Sequence, residues 1–295
     1  MGEVLNKRTN PFIIVFLSLF SLACVIPFWL VLTVSISNEN DIASYGYRFW
    51  PKKIDLVAYQ YLIHDSANII RAYGVTIFVT VVGVVASLFI TSAMAYTLSR
   101  IDFPFRNALG FYVFFTMLFS GGLLPWYLVY TRFLHVQDTL LALILPGLLS
   151  GFNVFIMRTF FTNSIPPSLL DSAQIDGASE YRTYFSIILP LSLPVMATIG
   201  LFTVVSYWND WFTSLVFISN ENLYSLQYLL NKTLMNAAFL QSIADKAYSN
   251  TANVTQPLES IRMAMAMVAI GPLVLVFPFL QKYFVKGLTV GAVKG

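Results

Sequence analysis

The chain has 295 residues, 57% of them hydrophobic and 11% charged, against roughly 45 to 50% apolar and about 25% charged in an average soluble domain. Phe alone supplies 26 residues and mean hydropathy is +0.72, so the surplus of large apolar side chains calls for lipid as its solvent. Seventeen Lys and Arg against 14 Asp and Glu leave +3 without a run of like charges, which argues against nucleic acid as a partner; a lone Cys24 rules out an intrachain disulfide, and two isolated histidines, His64 and His135, speak against a metal site.

A helix of about 20 residues crosses a hydrocarbon core of about 30 Å. Charge-free windows of that size predict six spans, at 11–36, 72–98, 107–131, 139–162, 191–219 and 260–281, in an all-α polytopic membrane protein with one transmembrane domain, 1–295. The first window is too long for a signal-peptide h-region and is expected to remain as a span. Arg71, Arg100, Arg106, Arg132 and Lys282 stand at window ends. An even number of spans puts both termini on one side. The short turn from Arg100 to Arg106 and the tail 282–295 are basic, so the reading is N-in and C-in.

Within the third window, Gly121-Gly122 followed by Pro125 predicts a break in the helix, with a ligand contact as the other reading. The stretch 162–190 is the most polar on the inner side and reads as helix, turn, helix. Pro166-Pro167 suit a first turn, Gly177 a left-handed C-terminal cap, Ser179 an N-cap, and Pro190 with Pro194 a kink. The outer segment 220–259 contains an amphipathic pattern over 223–242, suited to a lid over the protein's own helices or to a partner face. The basic tail carries Gly287, Gly291 and Gly295 and suits a protein groove, with Lys286 and Lys294 as its expected contacts.

Asp171-Ser172-Ala173, then Gly177-Ala178, then Phe185 and Ile188-Leu189-Pro190, resemble the EAA loop of ABC-importer permeases, although Asp171 and Ser172 replace the usual Glu-Ala opening. Three further stretches resemble the carbohydrate-uptake, maltose-like branch and its oligo- and polysaccharide subgroup: Phe119-Ser120-Gly121-Gly122-Leu123-Leu124-Pro125, Trp208-Asn209-Asp210-Trp211, and the ending from Gln281 to Gly295. The resemblance covers nearly the whole chain. It implies a type I ABC-importer permease fold in a bacterial cytoplasmic membrane. It also implies that Asp171, Ser172, Ala173, Asp176, Gly177, Ala178 and Pro190 belong to a coupling loop docking on an ATPase. The implied partners are a second, different permease subunit, two ATPase subunits that hold ATP and Mg, an extracellular or periplasmic solute-binding protein, and a sugar.

The residues agree on energy supply. No G-x-x-x-x-G-K-[ST] occurs, so the chain has no ordinary phosphate cradle, and no catalytic constellation can be assembled. It is read as a transport subunit that is no enzyme and binds no cofactor itself. Asp210 is the one ionisable residue expected deep in a span. With Tyr207, Trp208, Asn209 and Trp211 it offers aromatic faces and polar groups to a sugar path; the other reading is that Asn209 and Asp210 bond neighbouring helices. The alternative function is a self-contained secondary transporter or channel, favoured if the chain alone moved solute under an ion gradient.

Overall fold

The computed structural model describes residues 11–64, 66–247 and 259–271. In chain order the helices are α1 (Pro11–Ser35), α2 (Glu39–Tyr45), α3 (Val57–His64), α4 (Ser66–Ser99), α5 (Arg106–Leu118), α6 (Leu123–Leu128) and α7 (Leu140–Ile144). They continue as α8 (Gly151–Ser164), α9 (Pro167–Ile175), α10 (Glu180–Thr183), α11 (Leu189–Leu191), α12 (Leu193–Trp208), α13 (Phe212–Phe217), α14 (Leu226–Ala247) and α15 (259–271). Among the described residues there is no strand, only an isolated antiparallel bridge from Ser37 to Ile54.

The described residues divide into two units, one from 11–66 with 232–271, the other 67–231. In the first unit α1 is uncharged and exposed along almost its whole length, burying only Thr33, Val34 and Ser35 near its end, as a helix solvated by lipid does. The segment after it is tied down by polar bonds. Asn38 caps α2 by accepting from Asn40 N at 3.0 Å and donates Nδ2 to Asp55 Oδ2 at 2.7 Å. The other Asp55 oxygen accepts the Val57 amide at 3.0 Å, where α3 starts. These two bonds, the amide first, hold the Asp55 carboxyl below its ordinary range. Glu39 caps α15: its carboxylate accepts from Glu259 N and Ser260 N, both at 3.0 Å, and from Ser260 Oγ at 2.8 Å.

In the second unit most expected spans prove to be bent. Helix α4 starts at Ser66, six residues before its expected start, and runs unbroken to Ser99. The window 107–131 is α5 and α6 at 116°. The break is where Gly122 takes φ +85°, after Phe119 leaves the helix in extended backbone. That is the backbone freedom for which Gly121-Gly122 was singled out. The window 139–162 bends by 50° after Pro146-Gly147, and α11 meets α12 at 76° between Pro190 and Pro194.

The window 191–219 requires a correction, because α12 stops at Trp208 and α13 begins at Phe212. Asp210 lies in a break between helices, not deep within one. Of the window 260–281, residues 260–271 are helical in α15, and the rest lies outside the described residues. Two helices, α1 and α4, are long and apolar enough to cross a membrane singly; three bent pairs bring the number to five among the described residues.

Two apolar clusters organise the second unit. One joins Ala95, Tyr96 and Leu98 of α4 with Val113, Val154, Met157, Phe161, Tyr184, Ile188 and Ile199. The other gathers Val79, Ala142, Leu143, Ile144, Tyr207 and Phe217. Each is built from several elements far apart in sequence, as the burial of apolar surface by individually short helices requires.

Candidate functional site

The first helix of the loop between α8 and α12 is defined at both ends. Pro166 is in extended backbone and Pro167 occupies the first turn of α9, where its missing amide proton costs nothing. At the far end Gly177 takes φ +71°. Its amide donates to Gln174 O at 3.0 Å and the Ala178 amide to Ala173 O at 2.9 Å. These are the paired bonds of a Schellman ending, which need a residue tolerant of the left-handed region. Ser179 then caps α10 by accepting from Arg182 N at 3.3 Å.

Asp171, Ser172, Asp176, Gly177 and Pro190 are exposed, Ala178 is half-buried, and Ala173 faces the interior. The loop's return path is anchored in the core by Tyr184, which shares a 2.7 Å hydrogen bond with Ser92 of α4, and by Ile188. The residues singled out in 166–178 therefore form one exposed corner, with Pro190 further along the return path. Two large apolar side chains flank that corner, Ile175 at 85% exposure and Tyr181 at 80%. Sequence reasoning missed both. The available signal was an apolar residue on each side of a glycine turn in an otherwise polar stretch.

The cluster at 207–211 splits in two. Tyr207 and Trp208 are buried at the end of α12. The Tyr207 hydroxyl donates to Ile144 O at 2.7 Å. Its ring lies between two glycines: a Cβ on Gly83 would stand 2.6 Å from its Cζ, and one on Gly147 2.8 Å away. Those glycines admit the ring, and the ring joins α4, the α7 turn and α12.

Asn209, Asp210 and Trp211 stand in the break. Asn209 Nδ2 donates to Val205 O at 2.9 Å, and Asp210 Oδ1 accepts from Thr213 N at 3.0 Å, supplying an acceptor to the first turn of α13. Ser225 Oγ donates to the Asp210 carbonyl at 3.0 Å, and Gln227 Nε2 to Asn209 Oδ1 at 3.4 Å. Trp211 is 39% exposed and meets Phe212 edge-on. The expected contacts Lys286 and Lys294 lie outside the described residues.

Comparison with known proteins places this geometry in context. Residues 1–290 match the family model described as binding-protein-dependent transport system inner membrane component. The polygalacturonan/rhamnogalacturonan transport system permease protein YtcP of Bacillus subtilis is 40% identical over 98% of this chain and 99% of its own. The arabinooligosaccharides transport system permease protein AraQ of Halalkalibacterium halodurans is 27% identical over 99% of this chain and its whole length. A solved bacterial ABC transporter involved in the import of the acidic polysaccharide alginate contains a chain 32% identical to this one. The two superpose with a TM-score of 0.77 over 92% of this chain and 94% of that one.

Proposed function

The chain belongs to the family of binding-protein-dependent transport system inner membrane components, and from that premise we propose that it lets a sugar or oligosaccharide through the bacterial cytoplasmic membrane. It is a permease subunit of an ABC importer and not itself an enzyme, since ATP hydrolysis belongs to separate subunits. The carbohydrate reading is supported by relatives named for polygalacturonan, rhamnogalacturonan and arabinooligosaccharide transport. In this reading a second, different permease completes the path, two ATPase subunits carry ATP and Mg, and a solute-binding protein delivers the sugar on the outer side. Both termini are cytoplasmic, and the tail 282–295, through Lys286 and Lys294, reaches the ATPases.

The observation that carries the mechanism is the exposed corner at 166–178, with Pro167 opening its helix and Gly177 closing it, joined through Tyr184 and Ile188 to the core. The corner docks on the ATPase; closure of the ATPases on ATP pushes it, and the 76° joint into α12 carries the push to the break at 209–211. The site alternates between inward-facing and outward-facing states, each ligand biasing one of them. At the break, Asn209, Asp210 and Trp211 present polar groups and an aromatic face to the sugar, while buried Tyr207 and Trp208 hold the end of α12 in place.

The test is co-purification in mild detergent with the subunits expressed beside it. The native chain is expected to retain an ATPase, and Asp171→Lys to retain less of it at low salt, a difference that shrinks at high salt as the charge is screened. Equal retention at both salt concentrations would remove Asp171 from the docking surface, and solute movement by the purified chain alone under an ion gradient would favour a secondary transporter.

A further inference from the structure

Just beyond the Gly177 corner, Glu180 is the first residue of α10, and its carboxylate reaches back to the last turn of α4. Glu180 Oε2 accepts from the Tyr96 hydroxyl at 2.8 Å and Oε1 from Arg100 Nη2 at 3.3 Å. The same guanidinium nitrogen donates to Asp102 Oδ2 at 2.7 Å. Arg100 is the enclosed centre of the group, its side chain 11% exposed, against 60% for Glu180 and 65% for Asp102. Tyr96 is in the last turn of α4 and Arg100 follows its last residue, four positions on, so one carboxylate reaches both. A level deeper, Tyr96 and Tyr184 pack ring to ring at 5.5 Å.

The docking helix itself is attached differently. A cavity of about 350 Å³ lies beside α9, lined among others by Leu170, Asp171, Gln174, Phe161, Arg100 and Asp102. The polar fastening thus falls after the Gly177 turn and open space falls before it. A push on α9 either closes that space or, acting through the corner, carries the end of α4 with it.

We infer that Glu180, Arg100 and Tyr96 form a clamp that fastens the coupling loop to α4, so that movement of the loop enters α4 as well as α12. This rests on the docking role proposed above for 166–178. These three are positioning residues: they act through the loop and touch neither nucleotide nor sugar.

The test uses the assembled complex with its ATPase subunits. Cys24→Ser removes the single native thiol, and spin labels at Ile101→Cys and at the exposed Tyr181→Cys then report the distance from the end of α4 to α10, with and without ATP plus vanadate. In the native background that distance is expected to stay the same when ATP is added. Glu180→Ala and Arg100→Gln are expected to let it shift or broaden on ATP binding, while Arg100→Lys, which keeps the charge, stays close to native. Transport per ATP hydrolysed should fall roughly two- to thirtyfold in the two broken variants.

If either broken variant fails to assemble, the other decides. A distance that stays locked in the broken variants, or one that already changes with ATP in the native complex, would overturn the clamp. Pull-down of the ATPase by the same labelled chains reports docking separately, so loss of the docking reading is distinguishable from loss of the clamp.

Discussion

At Gly177 a single φ of +71° separates two effects that are usually entangled. A Cβ built there meets nothing within 4 Å in this chain, so Gly177→Ala brings mainly backbone strain, about 1 to 2 kcal/mol, and the β-branched Val tolerates that φ less well. A loss of 1.4 kcal/mol is a tenfold change in an equilibrium. Gly177→Ala is therefore expected to insert normally and to bind the ATPase up to roughly thirtyfold more weakly, and Gly177→Val to bind distinctly more weakly still if, as proposed, the ATPase packs where this chain leaves space. Pull-down measures both, and identical retention by the two variants would show that nothing packs at the corner. Gly83 is the opposite case. Its Cβ would collide with a ring already tethered at Ile144, so Gly83→Ala should cost about 1 to 3 kcal/mol, as overpacked cores do. Combined with Tyr207→Leu the loss should be smaller than the sum of the single losses. Thermal unfolding in detergent gives the four values of that cycle, and strict additivity would separate the two positions. At Asp210 the acceptor for Thr213 survives in Asp210→Asn while the charge is removed. Unchanged assembly with reduced or altered sugar uptake is the expected result; normal uptake would make the carboxylate a helix-starting residue only.

Among the elements, the breaks were readable where backbone chemistry forces them. Gly121-Gly122 and Pro190 with Pro194 mark two of the three bends, because a residue with no Cβ or no amide proton changes what the local chain can do. The stop of α12 at Trp208 was not readable, since nothing from Tyr207 to Phe212 forbids a helix. Two bonds to other segments make the stop, the Tyr207 hydroxyl donating to Ile144 O and Ser225 Oγ donating to the Asp210 carbonyl, and the Asp210 carboxylate adds a local acceptor for Thr213 N. The start of α15 likewise depends on a residue over 200 positions away. Removing the Glu39 acceptor from Glu259 and Ser260 in Glu39→Ala should cost about 1 kcal/mol, seen as faster amide exchange at the first turn of α15. Exchange unaltered there would mean that the cap is made by other groups. The depressed Asp55 carboxyl gives α3 a pH dependence of known sign. Its contribution is complete above the ordinary carboxylate value of about 4 and is lost as pH falls through the lower folded value. Protease resistance of the segment 37–64 should thus hold at pH 5 and decline only in stronger acid, and Asn38→Ala should move the decline upward. A native segment already cleaved rapidly at pH 5 would contradict this.

For the molecule as a whole, the proposed topology is tested by labelling single cysteines in a Cys24→Ser background. Position 232 should be reachable from outside and position 294 only from inside; the reverse pattern would invert it. The helical class and the membrane as solvent were determined by the sequence alone, because composition and charge-free length decide which solvent a helix needs. The helix, turn and helix that open the stretch 162–190 were legible too: Pro167, Gly177 and Ser179 act through their own backbone and caps within a few residues. Only the tertiary structure decided that the 207–211 cluster divides into a buried anchor and a partly exposed break. It alone brought Glu180 to Tyr96 and Arg100, and placed the Tyr207 ring between Gly83 and Gly147. These are meetings between segments that local pattern leaves independent, and which segments meet is settled by how all the apolar faces are buried at once.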